Sequence, residues 1–571
     1  MTTPSRLHCA ALAVLAVIGS TTARAQYPAV SKAIGAEARE RRTASDRDSD
    51  EAWARALPAV EAAARSGKPW LPGAAAPSDL PQAAIPAFPG AHGGGRFSFG
   101  GRGGRVIVVT SLDDRGPGTL REALESGGPR IILFNVAGII QLKSRIRVRA
   151  PYVTLSGATA PGDGVCIAGD TVEIDTHDVV IRHLRFRRGA TWVGDRNDSL
   201  GGNPVGNVII DHVSASWGLD ENMSLYRHMH DHDGDPATPE LKLPTVNITI
   251  QHSIFSEGLN PFHHAFGSTI GGLNSTFHRN LWASNTGRNP SVGMYGDFTF
   301  VNNVLFNWVN RTVDGGDERS FFNVYNNWYK PGPATPAGAP VSHRILKPES
   351  KRSRTEFDIF GRAYVAGNVV EGHPAVTADN WAGGVQIASR GPAAPLLAKI
   401  RADAPFPHAP LPVEPAGAAY ASVLANAGAT LPRRDAVDAR IVESVRTGKS
   451  TARPGPGLRE SLGGVGYQER TIDGIAALVP LGIITHPSQV GGYPEYRGQP
   501  YTDTDADGLP DAWETAHGLD PLDPRDAMAD ANGDGYLNVE DFLNGLDPRA
   551  ARVDWSRPEN NVDRRLVTPR G

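Results

Sequence analysis

Cysteine is nearly absent. The 571 residues hold two, Cys9 and Cys166, and Cys9 falls in a stretch that reads as a removable leader, so no intramolecular disulfide can staple the mature chain. A large buried core has to do that work. A dominant charge sign is missing as well: 57 Lys and Arg against 61 Asp and Glu give a formal net charge of -4. That balance excludes the concentrated basic face needed to bind nucleic acid. The apolar run at residues 9–18 is well short of the roughly 20 residues that span a bilayer. It follows Arg6 and precedes Ala23-Arg24-Ala25, the pattern of a secretory leader cut before Gln26. The sequence therefore predicts export, to the exterior or the periplasm, of a monomer with no membrane span and no nucleic-acid partner.

What is abundant is glycine, 64 residues, and proline, 45, which together mark a chain with many turns. After the leader, 1–25, residues 26–85 form an Ala-, Arg- and Pro-rich lead-in with a helix-like stretch near 52–64 and no strand pattern, expected to be loosely attached. A Gly-rich run then leads into a strand at 105–110, a short helix at 118–124 and a strand at 130–136.

From there a theme repeats: a polar residue, a short alternating apolar run, a turn. Copies begin at Asp178, Asn207, Asn247, Asn274, Asp297 and Ser320, at intervals of 29, 40, 27, 23 and 23 residues. A strand this short cannot bury its inward face alone, whereas stacked copies share one continuous core. The expected fold is all-β, a right-handed parallel β-helix over about 86–400. Asn303 and Asn327 fall at equivalent places and are expected to form an amide ladder at a coil corner. His183, His212 and His252 also share a repeat position and are expected to stack. A segment at 401–500 is expected to wrap back along the solenoid.

Near the C-terminus, Asp503, Asp505, Asp507, Gly508, Asp511 and Glu514 occupy positions one, three, five, six, nine and twelve of an EF-hand-type loop. A second copy has Asp530, Asn532, Asp534, Gly535, Asn538 and Asp541. Oxygen donors at this spacing, with glycine at the sharp turn, predict a small helical calcium module over 501–549, followed by a tail, 550–571. The module resembles dockerin-like calcium repeats, read here as a stabiliser.

Three further segments concentrate polar residues: 195–202, 211–224 and 285–293. On neighbouring rungs, roughly 5 Å apart, Asp198, Asp220 and Glu221 can converge. The stretches Gly157-Ala-Thr-Ala-Pro-Gly-Asp-Gly-Val, Ile210-Asp-His-Val-Ser-Ala-Ser-Trp-Gly-Leu-Asp-Glu and Phe277-His-Arg-Asn-Leu-Trp-Ala-Ser-Asn-Thr-Gly-Arg-Asn-Pro resemble pectate lyases of polysaccharide lyase family one. The resemblance implies a calcium-dependent enzyme that cleaves acidic plant-type polysaccharide by β-elimination. Calcium would be held by Asp198, Asp220 and Glu221, and Arg288 would act as base. His264, Asn289 and Trp217 are expected to contact substrate, although for Trp217 a core role is the safer expectation. The sequence departs from the family at Asn197, Ser224 and Ser291, where further acidic or arginine residues are common, and it has no lysine in Pro261-Phe-His-His-Ala-Phe-Gly.

The base role is preferred on the resemblance; on its own chemistry Arg288 also suits a two-pronged clamp for a carboxylate, with hydroxide or His264 as base. For Asp198 and Glu221 the alternative, ranked behind the metal role, is a surface salt bridge with Arg182 or Arg185. Two other functions compete. A β-helix hydrolase needs paired carboxylic residues about the scissile bond, yet the Asn-Thr-Asp, Gly-His-Gly and Arg-Ile-Lys segments of such enzymes are absent from the repeats. A non-catalytic glycan-binding solenoid predicts binding without products.

Overall fold

The repeating apolar runs become rungs of a parallel β-helix. The computed structural model describes residues 28–352, 356–455 and 457–550. The expected leader with its cleavage point, and the tail beyond Ala550, lie outside the described residues. Three parallel sheets of ten, nine and eight strands run along the solenoid, each rung giving one strand to each sheet over most of its length. Their inward faces enclose one core of residues such as Val179, Ile181, Val208, Ile210, Ile248, Phe277, Phe298 and Phe322. No single short strand could bury its face this way; only the stack does.

The predicted copies are successive strands of the ten-stranded sheet: His177–Arg182, Gly206–Asp211, Val246–Gln251, Leu273–His278, Asp297–Val301 and Phe321–Tyr325. Register follows the expected alignment through Asn274 and Asp297, with Val208 opposite both Val179 and Ile248. The last copy is displaced by one residue. Asp297 faces Phe321, not Ser320, and Phe298 faces Phe322. A one-residue slip would exchange inward and outward faces, and it is Phe322 that is fully buried in the core.

Polar ladders satisfy the corners. Asn280, Asn303, Asn327, Asn368 and Asn380 form a chain in which each side-chain amide donates to the next carbonyl oxygen at 2.9–3.1 Å. Asn303 Nδ2 also donates to the Phe277 carbonyl at 2.9 Å, and Asn327 Nδ2 to the Phe300 carbonyl at 3.0 Å. Truncating one member leaves several buried groups without partners. Asn303→Ala is expected to cost about 2–4 kcal/mol, read from the shift in a urea unfolding midpoint. An unchanged midpoint would contradict the ladder's structural role.

At another corner His183, His212 and His252 stack face to face at 4.7 Å between ring centroids. Burial lowers His252 from 6.5 to about 3, with Asp211 opposing and Arg279 assisting. The unfolded chain therefore binds a proton that the native state refuses between about pH 6.5 and 3, so this contribution is complete above pH 6.5 and is lost as pH falls. His252→Asn is expected to flatten the pH dependence of stability in that window by up to about 1.4 kcal/mol per pH unit, measured as urea stability between pH 7 and 4.5. Identical slopes in the two proteins would refute it.

The Gly-rich run crosses the outer face of the ten-stranded sheet at van der Waals range. A Cβ on Gly94 would lie 1.8 Å from the Asn274 carbonyl oxygen, and one on Gly95 2.1 Å from that of Val208. The freed amides donate to Thr276 Oγ1 at 3.2 Å and Thr249 Oγ1 at 2.9 Å. The lead-in is not loose, contrary to expectation. Lys32–Arg65 is one helix that buries Ala38, Ala52, Ala56, Val60 and Ala63. It pairs Asp48 with Arg115 at 2.7 Å, Asp50 with Arg149 at 2.8 Å, and Arg41 with Asp170 at 3.2 Å. Later, helices Ala416–Asn426 and Ala436–Thr447 lie on the outside of the nine-stranded sheet, where Val423, Ile441 and Val445 pack on Ile254, Leu281 and Val304. No helix among the described residues is long and apolar enough to cross a membrane.

Candidate active site

The eight-stranded sheet carries the cleft. The strands Leu200–Gly202, Glu221–Leu225, Phe266–Ile270 and Ser291–Val292 are consecutive in it, so residues at their edges, distant in sequence, meet on adjacent rungs. A cavity of about 470 Å³ is lined by Asp198, Asp220, Glu221, His264, Thr269 and Arg288, and extends past Glu173, Arg196, Asn203, Tyr226 and Arg227. The loop bearing Arg196, Asn197 and Asp198 is held from outside by the long N-terminal helix: Gly194 abuts Ala38 and Ile34, and the Arg41 guanidinium stacks on Trp192 at 3.6 Å.

Within the cleft the carboxylates are tightly tied. Arg288 Nη1 contacts Glu221 Oε1 in a close ion pair, and Glu221 Oε1 also accepts from Thr269 Oγ1 at 2.8 Å. The Glu221 backbone N–H donates to Asp198 Oδ1 at 3.1 Å, and His264 Nδ1 meets Asp220 Oδ1. The Arg288 guanidinium lies over the Phe266 ring at 4.5 Å. Burial, and then the neighbouring Asp220 carboxylate, push the Asp198 carboxyl well above the usual range. Burial likewise raises Glu173 to about 7 against the pull of Arg145. Ligand atoms of Asp220, Glu221 and His264 come within 4.8 Å of one another. Crowded carboxylates, one of them driven toward its neutral form, are a donor set that a hard divalent cation would relieve, and their oxygens suit calcium.

Two expected substrate contacts do not face this cleft. Trp217 is fully buried, donates from Nε1 to Glu257 Oε2 at 3.1 Å and packs edge-on against Tyr493; it is core. Asn289 spends its amide inside the coil, accepting from Asn285 at 3.1 Å and donating to the Arg311 carbonyl at 3.0 Å. The competing salt bridges are absent too: Arg182 pairs with Asp211 at 2.8 Å, and buried Arg185 lies 3.4 Å from Asp435. At Ser291, Arg311 reaches in from the next rung, donating to Ser291 Oγ at 3.1 Å and to Asp314.

The chain is similar to known proteins over most of its length. A protein of Aspergillus fumigatus described as probable pectate lyase C is 32% identical over 473 residues, covering 81% of this chain and 94% of that protein. The corresponding protein of Aspergillus terreus is 33% identical over 474 residues, covering 81% and 95%. The chain belongs to the pectate lyase family. As a pectate lyase it is a carbon–oxygen lyase acting on polysaccharide. No family model matches the chain. Among solved structures, the major allergen of cedar pollen aligns at TM-score 0.39 and 19% identity, covering 59% of this chain and 92% of that one.

The lyase's C-terminal loops form their own acidic clusters. Ligand oxygens of Asp503, Asp505 and Asp507 lie within 4.8 Å of one another, as do those of Asp507, Glu514 and Asp526. Asp526 was not expected. Asp511, the expected ninth-position ligand, is turned onto Thr504, accepting its N–H at 2.8 Å and its hydroxyl at 2.7 Å. In the second loop Asp530 accepts from Gly533 at 2.7 Å and Gly535 at 2.9 Å, and Asn532 and Asp534 lie beside it. Asn538 is turned away as Asp511 is, donating to the Asp526 carbonyl at 2.8 Å. Both carboxylate oxygens of buried Asp541 have no hydrogen-bond partner.

Proposed function

We propose that this lyase is a secreted, calcium-dependent enzyme that cleaves polygalacturonate, or a closely related uronate polymer, by β-elimination. The observation that carries the reading is the meeting of Arg288, Glu221, Asp220, Asp198 and His264 in one polar cleft on the side of the solenoid. The relatives' description as pectate lyases supports the substrate class, and the leader pattern in residues 1–25 supports export. Three arginines, Arg196, Arg227 and Arg288, line the cleft and suit a polyanion.

Elimination takes the proton at C5, α to the uronate carboxylate. The C–H electrons become the C4–C5 double bond, the bond from C4 to the glycosidic oxygen breaks, and that oxygen is protonated from solvent. Arg288, once its guanidinium has given a proton to solvent, accepts the C5 proton as the neutral guanidine and returns to the guanidinium. Phe266 and Thr269 set its position, and Arg196 and Arg227 engage carboxylates of neighbouring sugar units. His264, oriented by Asp220, donates a hydrogen bond to the sugar. Asp198, Asp220 and Glu221 would hold calcium, which when bound supplies Lewis-acid neutralisation of the substrate carboxylate. The Arg288–Glu221 ion pair favours a second reading, in which the guanidinium clamps that carboxylate and hydroxide takes the proton. Calcium is also assigned to the two C-terminal loops, as a stabiliser of the fold.

Mass analysis of the products tests the class of reaction. Elimination gives oligouronates lighter by one water than those of hydrolysis; products carrying the added water would establish a hydrolase instead.

A further inference from the structure

Four carboxylates of the C-terminal loops, Asp507, Glu514, Asp534 and Asp541, are buried where the loops meet the solenoid's first rungs. Glu514 is fully buried, and neither of its carboxylate oxygens has a hydrogen-bond partner. An anionic side chain so placed is costly without a cation. Asp526 comes from the segment between the loops. One of its oxygens accepts the Asp520 N–H at 2.9 Å, while Oδ1 is buried with no partner in the cluster with Asp507 and Glu514.

The loops sit directly on the first rungs. Leu509, Ala527, Val539 and Leu543 pack against the outward faces of Ile131 and Leu133. The two sharp-turn glycines are contact points: a Cβ on Gly508 would lie 2.7 Å from Val106 Cγ1, and one on Gly535 2.9 Å from Ile85 Cδ1. Both have left-handed φ, 99° and 96°, so glycine serves the turn and the close approach together. Polar ties complete the joint: Arg102 with Glu540 at 2.9 Å, Tyr536 Oη to the Pro86 carbonyl at 3.2 Å, and Asn135 with the Tyr501 backbone at 2.8 Å in both directions.

We infer that Asp526 is a calcium ligand of the first loop in place of Asp511, and that calcium held there fastens the C-terminus over the solenoid's first rungs as an intramolecular clasp. This rests on the assignment of calcium to the loops and is independent of the cleft. The ligand set is Asp503, Asp505, Asp507, Glu514 and Asp526, all hard oxygen donors. Because Asp526 also anchors Asn538 of the second loop through its carbonyl, filling the first site orders both loops. Stability gained by binding then passes to the strands beneath.

The test uses the full chain carrying Asp198→Asn, Asp220→Asn and Glu221→Gln together as the parent for every variant, so that the cleft lacks its three carboxylates and contributes equally throughout. Calcium titration calorimetry is expected to show binding weakened roughly tenfold or more by Asp526→Asn, and less by Asp511→Asn. Hydrogen exchange is expected to slow on adding calcium, held near the parent's dissociation constant, at residues 105–109 and 130–134 as well as 503–541, and most of this protection is expected to be lost in Asp526→Asn at the same calcium. Unchanged affinity in Asp526→Asn, or a larger loss in Asp511→Asn, would overturn the ligand assignment. Protection confined to 503–541 would overturn the clasp. None of these readouts depends on turnover, so a failure here is distinct from a failure of the catalytic assignment.

Discussion

Replacing Arg288 by alanine is expected to lower the rate of unsaturated-uronate formation about a thousandfold, with the fold intact. The side chain is one-fifth exposed and its guanidinium contacts Glu221, Thr269 and the Phe266 ring, so its loss removes chemistry and little packing. Arg288→Lys separates the two readings of the residue. A lysine base has an intrinsic pKa near 10.4, below that of arginine, so the rising limb of the pH–rate profile moves to lower pH if residue 288 takes the proton. If it only clamps a carboxylate, the lysine loses the fork geometry, the rate falls, and the limb stays where it was. Activity of Arg288→Ala within tenfold of the wild type would remove the residue from the mechanism.

Glu221→Gln is expected to cost at least about a hundredfold in rate at fixed, low calcium, part of it recovered as calcium is raised. The substitution keeps the size of the side chain and an oxygen to accept from the Thr269 hydroxyl. What it removes is the charge that pairs with Arg288 and sits beside Asp220 and Asp198. Loss of one hard anionic ligand weakens a divalent ion's hold without abolishing it, so the calcium dependence of the rate shifts to higher concentration. A rate that falls with no change in calcium dependence would mean that Glu221 only positions Arg288.

The solenoid was legible because each copy repeats a period-two apolar pattern behind a polar corner residue, and only one register follows when all inward faces must be buried. The slip at Ser320 arose where Phe321 and Phe322 are adjacent, so alternation carried no signal and burial alone decided. The long N-terminal helix was half visible, at 52–64. Its first half is charged, and the partners that dock it, Arg115, Arg149 and Asp170, lie far along the chain. In the cleft, Arg288 and the acidic residues could be named from the motifs that resemble the family. The core role preferred for Trp217 is the one it has; the inward turn of Asn289 could not be read, because it depends on where each coil corner falls. Arg196 and Arg227 flank Asp198 and the Glu221 strand closely in sequence, a signal that was there to be used. Loop spacing alone put Asp511 among the calcium ligands; the Thr504 hydroxyl that claims it, and Asp526 which reaches the cluster instead, are facts of three dimensions.

The most direct test of the account is the ultraviolet absorbance of unsaturated uronate, followed with pure protein and polygalacturonate first in added calcium and then in excess chelator. The account predicts a steady rise in calcium that chelator stops and restored calcium resumes. A rise of equal rate in chelator would contradict the calcium assignment, and no rise in either condition, with new reducing ends, would contradict β-elimination itself.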